Sequence, residues 1–169
     1  PSVAFPGYPE APVLEAAERT VELARRAGFA DAALQPVPWG YPPVVGEIAG
    51  PEGSPTVVLY AHYDVQPAEP LELWQSPPFE PTIRNGKIFA RGAVDDKGQL
   101  FAHIEALEAH LATRGTLPCN VILLAEGEEE VEPARALLEQ YGRQAIGLVV
   151  LDLTPYEVGN ALLRGRARV

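Results

Sequence analysis

Thr56-Val57-Val58-Leu59-Tyr60-Ala61-His62-Tyr63-Asp64 decides how the rest of this chain is read. Its first six residues are an apolar run of the length and composition that a strand buried on both faces requires. The run then stops on a histidine and an aspartate. Two later segments repeat the pattern. Residues 120–125 (NVILLA) run into Glu126-Gly127-Glu128-Glu129-Glu130, and residues 148–151 (LVVL) run into Asp152. Between the first two runs, Thr82-Ile83-Arg84 and Lys87-Ile88-Phe89-Ala90 flank Asn85-Gly86. That dipeptide suits a two-residue hairpin turn, whose central positions need positive φ. The second arm leads into Arg91-Gly92-Ala93-Val94-Asp95-Asp96-Lys97-Gly98.

Helical periodicity separates these runs. In residues 13–27, Val13, Ala17, Val21 and Ala24 share one face, and Gly28 is a natural stop. In residues 99–111, Leu100, Ile104, Leu107 and Leu111 do the same. Pro133 suits the first turn of a helix reaching Tyr141. Weaker strand signals lie at residues 32–37 and 44–49, in a stretch made irregular by Pro36, Pro38, Pro42 and Pro43. Strands alternating with helices predict an α/β fold with a largely parallel central sheet flanked by helices.

In such sheets ligands bind in the crevice beyond the carboxyl ends of the strands. Four segments would deliver one histidine and many carboxylates to that edge. Carboxylates so crowded repel one another and resist desolvation, and a divalent cation relieves both penalties. A mixed imidazole and carboxylate set suits zinc, with manganese or cobalt as alternatives. Taken singly, each segment has an ordinary explanation. A histidine after a strand is commonly a hydrogen-bonding loop residue, Asp96 could cap the helix starting near Lys97, Glu128-Glu129-Glu130 could be a solvated charge run, and Asp152 could end a turn. Their joint placement after buried strands favours a metal site.

Composition narrows the classes. The net charge is −10 and the pI about 4.7, so neither nucleic acid nor an anionic membrane surface is an expected partner. Cys119 is the single cysteine, which excludes an internal disulfide and a thiolate zinc site. No apolar run approaches the roughly 20 residues of a membrane span, and no signal-peptide pattern opens the chain, so the cytoplasm is the default setting. No nucleophile elbow is present, since Ser54 and Ser76 lack the flanking residues.

The segments His62-Tyr63-Asp64-Val65-Gln66-Pro67, Arg91 to Gly98, Glu126 to Glu130, and Asp152 resemble, in order and spacing, the dinuclear zinc peptidases that include carnosinases, cytosolic non-specific dipeptidases, aminoacylases and glutamate carboxypeptidases. Trp74-Gln75-Ser76-Pro77-Pro78-Phe79 is similar to the carnosinase-like branch. The resemblance implies the amino-terminal portion of the α/β catalytic domain of that family. It implies that His62 and Asp152 bind one metal, that Glu130 binds the second, and that Asp95 bridges the two. Asp64 would orient the His62 ring, and Glu129 would be the general base that takes a proton from a metal-bridged water. It further implies a cis peptide between Asp95 and Asp96, a small-peptide substrate, two zinc ions in the complete site, and a homodimer when full length.

The chain departs from the family pattern at Val131-Glu132-Pro133, where a small residue, Gly and Ser are usual. The family's second metal also takes a distant histidine, and a lid domain completes its substrate site; only His62, His103 and His110 exist here, the latter two read as ordinary helix residues. The expectation is therefore a fragment: residues 1–160 as part of the catalytic domain, and residues 161–169 as the start of a connection toward the lid. The alternatives are a truncated, non-catalytic metal-binding fragment, an N-acyl-amino-acid amidohydrolase, and an α/β domain without metal.

Overall fold

The computed structural model describes residues 1–38, 40–129 and 135–150. Regular structure begins with helix α1 (Ala11–Arg26), whose first turn holds Pro12, where a missing N–H costs no helix bond. Val13, Ala17, Val21 and Ala24 are buried along one face. Strands β1 (Ala33–Leu34) and β2 (Val44–Ile48) follow, then β3 (Thr56–His62). The hairpin of β4 (Thr82–Arg84) and β5 (Lys87–Phe89) comes next. Its turn residues Asn85 and Gly86 have φ of 50° and 73°, the left-handed pair that such a turn demands. Helix α2 (Lys97–Arg114), β6 (Asn120–Glu126), α3 (Arg135–Gly142) and β7 (Gly147–Val150) complete the order.

Among the described residues, five strands make one sheet in the order β1-β2-β6-β3-β7. The three apolar runs form its parallel core, with β3 between β6 and β7. β2 joins β6 antiparallel, and β1 joins β2 antiparallel, so the whole sheet is mixed. An apolar run does not encode its own direction, and an antiparallel neighbour needs no crossover helix. β1 spans two residues where the sequence suggests six, because Pro36 and Pro38 have no N–H to give a ladder.

Alternate residues of the parallel strands feed two cores. Leu59, Ala61, Leu123 and Ala125 pack with α1 and α2 through Val13, Ala17, Leu100 and Ile104. Val58, Tyr60, Ile122 and Leu124 pack on the other face with Tyr141 of α3. Both faces are covered, which is why these strands show no polar alternation. Among the described residues, no helix is long and apolar enough to cross a membrane.

Candidate metal centre

The register of the sheet brings the polar segments together. β3 and β6 are parallel, with His62 opposite Glu126. The Tyr63 N–H donates to the Glu126 carbonyl at 2.8 Å, which extends the ladder one rung beyond the strand. Both chains therefore leave the sheet side by side at its carboxyl edge. β2 runs the other way, and its first residue, Val44, pairs with Ala125. The loop before β2 consequently lies at the same edge.

His62 is the centre of the cluster and is fully buried. Its Nδ1 lies 3.1 Å from Asp64 Oδ1. Its Nε2 lies 3.1 Å from Asp95 Oδ1 and 3.8 Å from Glu129 Oε2. Its backbone N–H donates to Asp96 Oδ2 at 3.0 Å. Asp64 and Asp96 are fully buried and Glu129 nearly so. The Asp95 side chain is 43% exposed, so the cluster is closed on the protein side and open at Asp95.

The Asp95–Asp96 peptide bond is cis. Asp96 occupies the N-cap position of α2, but its side chain makes no capping bond there and instead holds the His62 backbone. The cap suggested by sequence is thus replaced by a long-range contact. Glu128 accepts the Tyr41 N–H at 3.0 Å and so belongs to the loop before β2. Of these two glutamates, Glu129 is the one that faces the imidazole. Gly127 between Glu126 and Glu128 has a steric reason: a Cβ there would sit 2.3 Å from the Tyr63 hydroxyl. Tyr63 is buried and donates to the Pro42 carbonyl at 2.8 Å, so its ring is fixed.

Electrostatics follow from this crowding. Burial lowers the His62 pKa, but the hydrogen bond and charge of Asp64, then the charges of Asp96 and Glu129, overcome it and raise the value to about 10. The carboxylates around His62 thus favour the charged imidazole over the neutral one. Burial pushes the Tyr63 phenol up, and the charges of Asp64 and Glu128 push the same way. Burial lowers the Lys97 ammonium to about 8, against the pull of Asp64.

The donors fit a divalent cation. Asp64 on Nδ1 orients the ring, leaving Nε2 toward two carboxylates at the open side. Among the described residues no three such side chains by themselves close around an ion position. Glu130 and Asp152, the other expected ligands, lie outside the described residues. His103 is buried in α2 and bonds the Tyr60 backbone, and His110 is partly exposed on the same helix; neither joins the cluster. Asp96, Tyr63 and Lys97 were not legible as site residues, because contacts between residues so far apart in the chain leave no periodic trace in the sequence.

An α/β sheet that gathers an imidazole and several carboxylates beyond parallel strand ends has the architecture of a metal-dependent hydrolase site. The chain belongs to peptidase family M20/M25/M40, whose sequence profile matches residues 58–161. It is 41% identical over 119 residues to the Cys-Gly metallodipeptidase dug1 of Schizosaccharomyces pombe, covering 66% of this chain and 25% of that protein. It is 37% identical over 120 residues to the human Beta-Ala-His dipeptidase, covering 68% of this chain and 24% of that protein. The fold matches an M20 family metallo-carboxypeptidase, Sso-CP2 of Sulfolobus solfataricus, with a TM-score of 0.71 and 34% identity, over 88% of this chain and 34% of that one. The chain thus spans about a quarter of the length of the curated relatives it matches.

Proposed function

We propose that this chain forms the amino-terminal part of the catalytic domain of a zinc-dependent dipeptidase. On this reading residues 1–160 build the metal-binding half-domain, and residues 161–169 begin the connection toward a lid. The complete protein acts in the cytoplasm as a homodimer on small peptides. His62 carries the proposal, through an imidazole fixed at Nδ1 by Asp64 and turned at Nε2 toward Asp95 and Glu129.

His62, Asp95 and Asp152 would hold one zinc, and Asp95 and Glu130 would hold part of a second; manganese or cobalt could replace either. Bound there, the ions supply Lewis acidity, which lowers the pKa of a shared water and polarises the scissile carbonyl. Asp64 holds His62 in the tautomer whose Nε2 can donate a lone pair. Glu129 takes the proton of the attacking water and passes it to the leaving amine. The buried faces of Asp64, Asp96 and Tyr63 keep solvent from the rear of the site.

Zinc content after dialysis, measured together with hydrolysis of Cys-Gly, β-Ala-His and an N-acetyl amino acid, tests the proposal. The 169-residue chain should retain about one zinc, because three ligands suit a tight site and two carboxylates do not. It should turn over none of these substrates. A protein of the relatives' length built on it should cleave the dipeptides in preference to the acyl amino acid. No retained zinc, or two ions and brisk turnover in the short chain, would overturn the assignment. Preference for the acyl amino acid would make it an amidohydrolase instead.

A further inference from the structure

Ser2 lies 60 residues from His62 in sequence and is 1% exposed. Its hydroxyl donates to the Tyr63 carbonyl at 2.6 Å. Its carbonyl accepts the Val65 N–H at 3.0 Å. The backbone neighbours of Asp64 on both sides are therefore tied to one residue. Lys97 Nζ donates to the same Ser2 hydroxyl, which brings the segment carrying Asp95 and Asp96 into the knot. Val3 and Ala4 are buried beside it, so the strap is anchored.

We propose that Ser2 is a positioning residue for the His62–Asp64 pair. The proposal rests on the reading of His62 as a metal ligand oriented by Asp64. Asp64 reaches His62 Nδ1 only while its own backbone keeps one orientation. Hydrogen bonds at residues 63 and 65 fix the two peptide planes that set that orientation. A hydroxyl serves here as donor to a carbonyl and as acceptor from an ammonium at once, which a methyl group cannot do. Alanine would leave the buried Tyr63 carbonyl and the part-buried Lys97 ammonium without these partners. The effect on His62 is indirect, through Asp64, as for outer partners of metal-binding histidines generally.

The chain holds three histidines, so the ring signals of a ¹⁵N-histidine sample are few. The His62 Nδ1–H resonance is assigned by its loss in His62→Gln. In Ser2→Ala this resonance should shift or broaden through exchange with water. Zinc affinity, by competition with a chromogenic chelator, should weaken about 10-fold. Ser2→Thr, which keeps the hydroxyl, should restore both. Leu117→Ala, a destabilising change in the buried turn before β6, at the edge of the sheet opposite to His62, should alter neither. Should Ser2→Ala fail to fold, Ser2→Cys, with its weak donor, should show the same effects at smaller size. An unchanged resonance and unchanged affinity in Ser2→Ala or Ser2→Cys, or an equal response to Leu117→Ala, would overturn the proposal. If the wild-type chain binds no zinc yet the resonance responds as described, the metal assignment fails while the positioning of His62 by Ser2 stands.

Discussion

At the scale of single residues, burial separates Glu129 from Glu128. Glu128 is committed to the Tyr41 N–H, whereas Glu129 is 7% exposed and faces His62. Glu129→Gln keeps the shape and removes the proposed proton acceptor. In the full-length enzyme we expect kcat to fall about 10²–10⁴-fold, the range for a lost general base, with zinc content near wild type. Loss of zinc with undiminished turnover per bound ion would place Glu129 among the ligands. His62, Asp64 and Asp95 were legible as candidates because each follows a buried strand or hairpin arm. Asp96 takes the N-cap position that its sequence context allows, but a sequence does not distinguish an aspartate whose side chain bonds its own helix from one that bonds a strand 34 positions earlier.

At the scale of elements, the parallel trio β3, β6 and β7 was legible from three apolar runs, and the hairpin from Asn85-Gly86. The antiparallel attachment of β1 and β2 was not, because pairing direction is settled by tertiary contacts. The turn after β6 shows how tightly elements are fitted. Tyr63 leaves β3 and places its phenol against Gly127, just past the end of β6. Gly127→Ala forces a buried, hydrogen-bonded ring to move. We expect a loss of about 1–3 kcal/mol in unfolding free energy, as for other overpacked sites. Chemical denaturation measures it, and Tyr63→Phe should relieve little of that loss, because ring carbons as well as the hydroxyl lie within 3 Å of the added Cβ. A Gly127→Ala chain as stable as wild type would show that the loop shifts freely.

At the scale of the whole molecule, the two-sided core and the acidic balance were legible, and the link between α2 and the sheet through His103 was not. Burial depresses the His103 pKa below 6.5, with the Tyr60 backbone bond opposing. Well above pH 6.5 the ring is neutral in folded and unfolded chains alike, and its contribution to stability is complete. As pH falls below 6.5 the unfolded chain takes up the proton first, so stability declines. Between about pH 7.5 and about pH 5, urea unfolding should show a larger loss for wild type than for His103→Leu. Equal losses would mean that His103 titrates alike in both states. The in-register pairing of β3 with β6 also has an evolutionary consequence. Side chains alternate faces along a strand, so one residue inserted within residues 56–61 would turn His62 away from the side shared by Val58 and Tyr60. A residue inserted between Gln66 and Glu80 would leave that orientation untouched. Lineages descended from this scaffold can therefore lengthen and rewrite that loop, while the strand that delivers the histidine accepts neither insertion nor deletion.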